Sequence, residues 1–449
     1  MKQENRPTMD QTVQQYIEWF RYSSAYINAH RNKVFVILIT GEALADENFP
    51  NIVYDISLLN SLGVKLVLVH GARPQISDAL RKAGIESRYH RNLRISDPQS
   101  LAAIKETVGR LTIDIEAQFS LGLINSPMHG SDIRLSRGNF ITARPFGVHD
   151  GVDFFNTGLV RKVQRDAIER QLSQGNIVLL SNLGYSCTGE VFNLSAEQVA
   201  METATALRAD KLILFIPGRG VLDTEGNLIN SLSPEGARNY LRDHEDSGDQ
   251  EQKVTNDALA AAIKASEGKV NRVHLISHQQ NGALLQELFT REGNGTLVSN
   301  DSFEELRQAY IGDVGGILEL IKPLEQAGTL VQRSRELLET EVTNFKVVAW
   351  EGMLIACAAL YPLENASGEI ACIAIHPDYQ KRGLGRRLLS SLEREARSRQ
   401  LERVFILTTA ATHWFLENGF RQSSVDELPE SKKQLYNYQR NSKVLVKEL

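Results

Sequence analysis

The sequence predicts an α/β protein in two parts: a larger unit on a mostly parallel sheet with helices on both faces, then a smaller α+β unit. Three observations carry this. The chain has 449 residues, too many for one ordinary core. From residue 33 to about 290, strand-sized runs that are apolar throughout alternate with helical patterns, as expected of strands buried on both faces. Beyond about residue 300 the order changes to consecutive strands followed by one long helix.

Composition narrows the functional classes. Forty-two per cent apolar and 23% charged residues suit a soluble globular protein. A net charge of −5 without a long basic run argues against nucleic acid, and no apolar run is long enough for a membrane helix. The start, "MKQENRPTMDQ", lacks the apolar core of a signal peptide. Cys187, Cys357 and Cys372 are scattered, with no CxxC and no His at ligand spacing, so a metal-free protein in a reducing, cytoplasmic compartment is expected.

The elements follow in order. "QTVQQYIEWFRYSSAYINAH" (11–30) repeats apolar groups at helical spacing, with Val13, Ile17, Phe20, Tyr26 and Ile27 on one side. It packs either on its own domain or on another subunit. "VFVILIT", "VKLVLVHG", "NIVLLSNLG", "KLILFIPG" and "VHLIS" are the sheet strands. The acidic stretch 242–253 reads as a solvated loop. Glycines, Asn and Ser cluster near 290–305, which predicts three segments: an N-terminal helix at 1–30, a first domain at 31–295 and a second at 296–449. In the second, "FKVVAW", "LIACAALYP", "GEIACIAIHP" and "RVFILTT" are strands.

The stretch "IACIAIHPDYQKRGLGRRLL" carries the most chemistry. A strand ends at His376-Pro377, and a helix opens after Gln380, Gly383 and Gly385. Glycines let backbone approach an anion closely, and the N–H groups and dipole at a helix start favour phosphate. Lys381, Arg382, Arg386 and Arg387 add four positive charges around Leu384. That much cation on a helix N-terminus is electrostatically unfavourable unless an anion docks there.

This stretch resembles the acetyl-CoA loop of the GNAT acetyltransferases, Q/R-x-x-G-x-G/A, matched in full by Gln380, Gly383 and Gly385. The resemblance spans about 300–449, with "ELRQAYIGDVGGILELIKPL" similar to the family's first strand and helix and "ATHWFLENGF" to its late "FYxxxGF" segment. It implies acetyl-CoA as cosubstrate, held in a splayed strand by main-chain groups of Cys372, Ile373 and Ile375. Transfer needs a neutral amine, and deprotonating an amino-acid amine costs about 3–4 kcal/mol. Glu369 is the candidate base, against the plainer reading of a strand-end acid. Phe415 stands where many relatives have the acidic tyrosine, so the acid is open among Thr408, His413, Tyr436, Tyr438 and water, with Thr408 or His413 preferred. Lys432, Lys433, Arg440 and Lys443 of the basic C-terminus, with Arg333 and Arg335, suit a substrate with two carboxylates. Of these, Arg333, Lys432 and Arg440 are the chosen glutamate-binding set.

Residues 30–290 resemble the amino acid kinase family. "VHGARPQI" (69–76) is similar to its glycine loop, "GEVFNLSAEQVA" (189–200) to its substrate segment, and "ALLQELFTREGNGT" (283–296) to the arginine-binding part of arginine-sensitive members. The departures fall on phosphate chemistry: Leu38 replaces the expected lysine, Glu42 the second glycine, and Ala72 and Arg73 further glycines. A three-layer amino acid kinase-like sandwich without its lysine, fused to a GNAT domain, resembles the bacterial N-acetylglutamate synthases. The resemblance implies acetylation of L-glutamate, the first step of arginine synthesis, with L-arginine inhibiting at Glu287, Leu288, Phe289 and Gly295 and covered by Tyr22 or Tyr26. It also implies a homohexamer joined through the N-terminal helix. Two other readings remain: a bifunctional synthase and kinase, and an arginine-sensing protein acetyltransferase.

Overall fold

The structure is a computed structural model that describes residues 9–90, 92–121, 133–244, 250–290, 293–299, 304–350, 353–380, 383–437 and 442–449. It divides into two compact units, Met1–Asp301 and Ser302–Leu449.

The first unit runs through α1 (Met9–His30), β1 (Val34–Ile39), β2 (Lys65–His70), α2 (Arg73–Lys82), β3 (Ile177–Ser181), α3 (Ala196–Leu207), β4 (Lys211–Ile216), β5 (Arg272–Ser277), α4 (Ala283–Phe289) and β6 (Thr296–Val298). Its eight-stranded sheet has the order Ser231–Leu232, β6, β5, β4, β1, β2, β3, Leu135–Ser136. Every neighbouring pair is parallel except β5 with β6. The period of two sorts β1 onto two cores. Val36 and Leu38 pack with Val199, Ala200, Leu259 and Ala262 on one face, and Phe35, Ile37 and Ile39 with Ile52, Ile56, Leu284 and Leu288 on the other. The result is a helix–sheet–helix sandwich, which explains why these strands are apolar at every position.

Two features differ from expectation. Residues 242–253 are not one loop: a helix continues to Asp243 and the next begins at Gln250, because the buried stripe Val254, Ala258 and Leu259 draws that helix start upstream. A second, four-stranded sheet, in the order Val191–Asn193, Leu183–Tyr185, Ile141–Pro145, Gly158–Val163, was not legible in the apolar pattern. Helix α1 is split in character. Tyr26 and Ile27 pack on the first unit and His30 donates from Nε2 to the Leu288 carbonyl at 2.9 Å, while Val13, Tyr16, Ile17, Trp19 and Phe20 are exposed.

The second unit continues with β7 (Glu304–Gln308), α5 (Val314–Gln326), α6 (Arg335–Glu341), β8 (Phe345–Trp350), β9 (Met353–Leu363), β10 (Ser367–Ile375), α7 (Leu384–Ser398), β11 (Arg403–Thr408), α8 (Thr412–Glu417), β12 (Arg421–Ser423), α9 (Glu430–Gln434) and β13 (Lys443–Glu448). Its seven strands lie in chain-number order except that β13 inserts between β11 and β12. The basic C-terminus is therefore no solvated tail: Val444, Leu445 and Val446 are buried in the sheet. Helix α7 buries Leu384, Leu388, Leu389 and Leu392 on one face of the sheet, each contributing roughly 1.5–3 kcal/mol. Helix α5 covers the opposite face through Ile317 and Ile321.

Candidate active site in the second unit

Strands β10 and β11 pair in parallel only at Ser367, Gly368 and Glu369, opposite Arg403, Val404 and Phe405. Both strands run on, to Ile375 and Thr408, without pairing, so a cleft opens between them from Glu369 onward. A bulge aids the divergence. Cys357 faces Ala374 and Ala359 faces Ala371, which leaves two residues, Cys372 and Ile373, opposite one on β9. Cys372 takes the left-handed conformation, φ 52°. His376 N–H donates to the Ile355 carbonyl at 2.8 Å, so by alternation the main-chain groups of Ile375 and Ile373 turn away from β9, toward the cleft.

The turn leaving β10 passes through the short helix Pro377–Tyr379 to Gly383, the N-cap of α7, at φ 78°. Among the described residues, a Cβ on Gly383 would meet nothing within 4 Å. Gly385 is the reverse case: a Cβ there would lie 3.0 Å from the Trp414 ring and 3.3 Å from Ile375, so α7 packs against β10 and α8 only with a glycine. Arg386 is exposed, with Nε 3.3 Å from Asn418 Oδ1, and Arg387 is half-buried beside it. Gln380 is exposed; Lys381 and Arg382 lie outside the described residues. A left-handed glycine at the helix N-terminus and two arginines in the first turn fit a diphosphate.

Glu369 is buried at the apex of the cleft, where it pairs with Lys432 Nζ at 2.5 Å. Sequence reasoning gave these two separate roles, base and substrate binder; the structure brings them together. The adjacent Ser431 donates through N–H and Oγ, each 2.8 Å, to Glu364, so α9 is tied at two points to the hairpin between β9 and β10. Arg333 comes to the same side: its guanidinium lies 5.9 Å from the Tyr361 ring centroid. Although its burial works the other way, Cys372, Tyr361 and Glu341 hold it above its ordinary value. Tyr361 donates to Glu341 at 2.8 Å. Cys372 is pushed up to about 11 by burial, with Glu369, Glu325 and Glu341 adding to the effect and Arg333 opposing it. Tyr361 and Glu341 were missed from the sequence, since a strand tyrosine and a helix-end acid carry no local signal of being neighbours.

Thr408 ends β11, buried, with Oγ1 accepting from the N–H groups of Ala410 and Ala411 at 3.3 and 3.1 Å. It lies three residues beyond Phe405, on the other face by alternation. His413 is exposed on α8. Phe415 is a core residue between Trp414 and Phe420 and has no polar role. Arg335 is exposed and pairs with Glu339 at 2.9 Å; Lys433 pairs with Glu430 and Lys443 is exposed. Arg440 and Tyr438 lie outside the described residues. Among the described residues no cluster of three or more His, Cys, Asp or Glu could hold a metal ion.

In the first unit, Glu287 accepts from His274 Nδ1 at 2.6 Å and from the N–H groups of Asn294 and Gly295 at 2.6 and 2.9 Å. Burial works against its charge, but these donors pull it down to about 2. Leu288 and Phe289 are buried; Tyr26 is half-buried with its ring 6.4 Å from His30; the Tyr22 side chain lies outside the described residues. His274 and Lys211, its neighbour at 3.3 Å, were missed because both are polar residues inside strands that otherwise read as core.

Comparisons with known proteins agree with this division. Residues 33–277 match the amino acid kinase family and 317–420 the acetyltransferase (GNAT) family. The chain is 51% identical over 435 residues to the amino-acid acetyltransferase of Ectopseudomonas mendocina, covering 97% of this chain and 99% of that one. It belongs to the amino-acid acetyltransferase family. The Azotobacter vinelandii amino-acid acetyltransferase is 50% identical over 438 residues, covering 97% and 100%. Among solved structures, N-acetylglutamate synthase from Neisseria gonorrhoeae complexed with coenzyme A and L-arginine superposes with a TM-score of 0.84 at 36% identity, over 97% of this chain and 99% of that one. The same protein complexed with coenzyme A and N-acetyl-glutamate gives 0.61 at 37% identity, over the same shares. No helix among the described residues of this acetyltransferase is long and apolar enough to cross a membrane.

Proposed function

We propose that this acetyltransferase makes N-acetyl-L-glutamate from acetyl-CoA and L-glutamate in the cytoplasm, as the first step of arginine biosynthesis, and that L-arginine bound to the first unit inhibits it. The observation that carries the reading is the cleft opening at Glu369, on the strand that leads to the left-handed Gly383 helix start. The relative solved with coenzyme A and L-arginine supports the ligands.

In this reading the diphosphate of acetyl-CoA, the acyl donor, rests on the start of α7, held by Gln380, Lys381, Arg382, Gly383, Leu384, Gly385, Arg386 and Arg387. Main-chain groups of Ile373 and Ile375 orient the thioester in the cleft and polarise its carbonyl. Cys372 shapes that edge through its bulge. Arg333, Lys432 and Arg440 hold the two carboxylates of glutamate. Glu369 takes the proton of the substrate ammonium, directly or through water, and the freed amine attacks the thioester carbonyl. Thr408 or His413 returns a proton to the departing thiolate. A thiol raised to about 11 is neutral at ordinary pH, so Cys372 is a poor nucleophile and the acetyl group passes directly to the amine. The exposed apolar side of α1 is the surface for a homohexamer, and Glu287, Leu288, Phe289, Gly295, Tyr22 and Tyr26 surround the effector.

Thiol release from acetyl-CoA tests this with L-glutamate, L-aspartate, L-ornithine and a lysine peptide offered in parallel, with and without L-arginine. Glutamate is the preferred acceptor and arginine slows it; preference for the peptide contradicts the reading. ATP turnover by the chain would favour a bifunctional enzyme, against which Leu38 and Glu42 stand.

A further inference from the structure

We propose that the Glu369–Lys432 ion pair is a closed resting state of the active site, opened when the acceptor's own ammonium and α-carboxylate exchange partners with it, and that Glu364 and Ser431 are the positioning residues that set Lys432 in place. The inference rests on the proposed acetylation of glutamate and adds how that site admits its substrate. Glu369 meets Lys432 Nζ at 2.5 Å. A cation beside a carboxylate favours its ionised form, so a base held this way takes up a proton poorly. Lys432 also repels the arriving substrate ammonium. The pair therefore has to open before Glu369 can act as the base.

The build of α9 makes Lys432 the partner that moves. Glu369 is buried on a sheet strand, opposite Tyr361 in the register, and the Tyr361 hydroxyl is spent on Glu341. The Lys432 side chain is 27% exposed, on a flexible four-carbon stem, and it comes from a five-residue helix with no buried residue and no side-chain cap at Pro429. Helices that short are marginal by themselves. The segment is anchored on either side: Leu428 packs with Phe405, Val444 and Val446, and the Tyr436 hydroxyl donates to the Ser442 carbonyl at 2.6 Å. Between these anchors, Ser431 donates to Glu364 through both N–H and Oγ. Glu364 precedes Asn365 and Ala366, two consecutive left-handed residues, φ 59° and 47°, that make the β9–β10 turn. These contacts set the start of α9 and leave the lysine head able to swing. The charges say what draws it off. An α-amino acid carries an ammonium and a carboxylate on one carbon. Laid head to tail on Glu369 and Lys432, it gives each a new partner of the right sign, so no charge is left bare. Glu369 then takes one proton from the ammonium, and no other bond changes in the exchange. The side-chain carboxylate of the acceptor remains for Arg333 and Arg440.

Saturation kinetics of thiol release by the full chain test the proposal with three acceptors: L-glutamate, L-isoglutamine, whose α-carboxylate is replaced by a neutral amide of similar shape, and L-glutamine, whose side-chain carboxylate is so replaced. With the parent, isoglutamine should turn over about 20-fold or more below glutamate in kcat, because Lys432 stays on the base. Glutamine should lose chiefly in KM, about tenfold or more, with kcat within about threefold. The deciding result is a gain. Lys432→Met removes the lock, so its kcat for isoglutamine should rise about fivefold or more above the parent's, which a damaged fold cannot mimic. Glu364→Ala should raise it in the same direction, and Glu364→Gln, which keeps an acceptor for Ser431, should return it toward the parent. Equal kcat for glutamate and isoglutamine in the parent, or no gain in the Lys432→Met chain, overturns the proposal. A parent that does not acetylate glutamate at all overturns the underlying reading as well, so the two failures are told apart.

Discussion

The turn after β1 and the turn after β10 share a plan, an apolar strand running into a glycine-bearing helix start, yet they are built for opposite purposes. At the first, a Cβ on Gly41 would lie 2.6 Å from both Gln75 and Pro74, and the Gly41 carbonyl is taken by Gln75 Nε2 at 2.6 Å. The helix there, Gly41–Ala45, has five residues and carries Glu42 in its first turn. At the second, Gly383 is left-handed with no described residue within 4 Å of a Cβ built there, and the 15-residue α7 places Arg386 and Arg387 in its first turn. Topology alone therefore does not make a phosphate site. Bare backbone, a helix long enough for its end to act as a local positive pole, and matching charge do. The first turn has kept the fold and lost all three.

The harshest way to break that contrast is to restore the missing cation. Leu38 is fully buried, with Val69 and Leu214 as its strand neighbours. Leu38→Lys is expected to destabilise the chain by about 3–5 kcal/mol in urea melts, through an unpaired buried ammonium, and to gain no ATP turnover. A stable, ATP-hydrolysing variant would undo the comparison. Covering the second turn comes next: Gly383→Val forces a β-branched residue into the left-handed region, worth about 1–2 kcal/mol, and blocks the backbone. The KM for acetyl-CoA should rise about tenfold or more; an unchanged KM says the diphosphate sits elsewhere. Lys432→Met sharpens the account of the cleft. The Lys432–Glu369 pair is partly exposed, so the variant should lose about fivefold in kcat/KM for glutamate and leave the acetyl-CoA KM alone. Cys372→Ala should change least, within about twofold in kcat. With the thiol raised to about 11, its neutral form dominates below that pH, so parent and variant should share one pH–rate profile through pH 9. Inactivation with a normal fold would instead point to a covalent acetyl-enzyme.

The contrast between the turns was legible in residue types, because glycine, lysine and arginine report directly on backbone freedom and charge. The strands β1, β2, β3, β4 and β5 were legible because burial on both faces leaves an unbroken apolar run. What could not be read was long-range pairing. Strand β13 enters the sheet beside β11, although "KVLVKE" lies far along the chain in a basic segment; its apolar core, Val444 to Val446, was the available clue. The pairing of Glu369 with Lys432, the bulge that turns Cys372 left-handed, and the meeting of Arg333 with Tyr361 likewise depend on contacts between distant elements. The small four-stranded sheet escaped because strands such as "LGY" and "VFN" are too short to show a period.

The account rests on the start of α7 as the seat of the coenzyme's diphosphate, and calorimetric titration of coenzyme A into an Arg386→Glu/Arg387→Glu double variant tests it most directly. Reversing two charges at that helix start should weaken coenzyme A binding by about 100-fold or more at unchanged thermal stability. A dissociation constant equal to the parent's would contradict it.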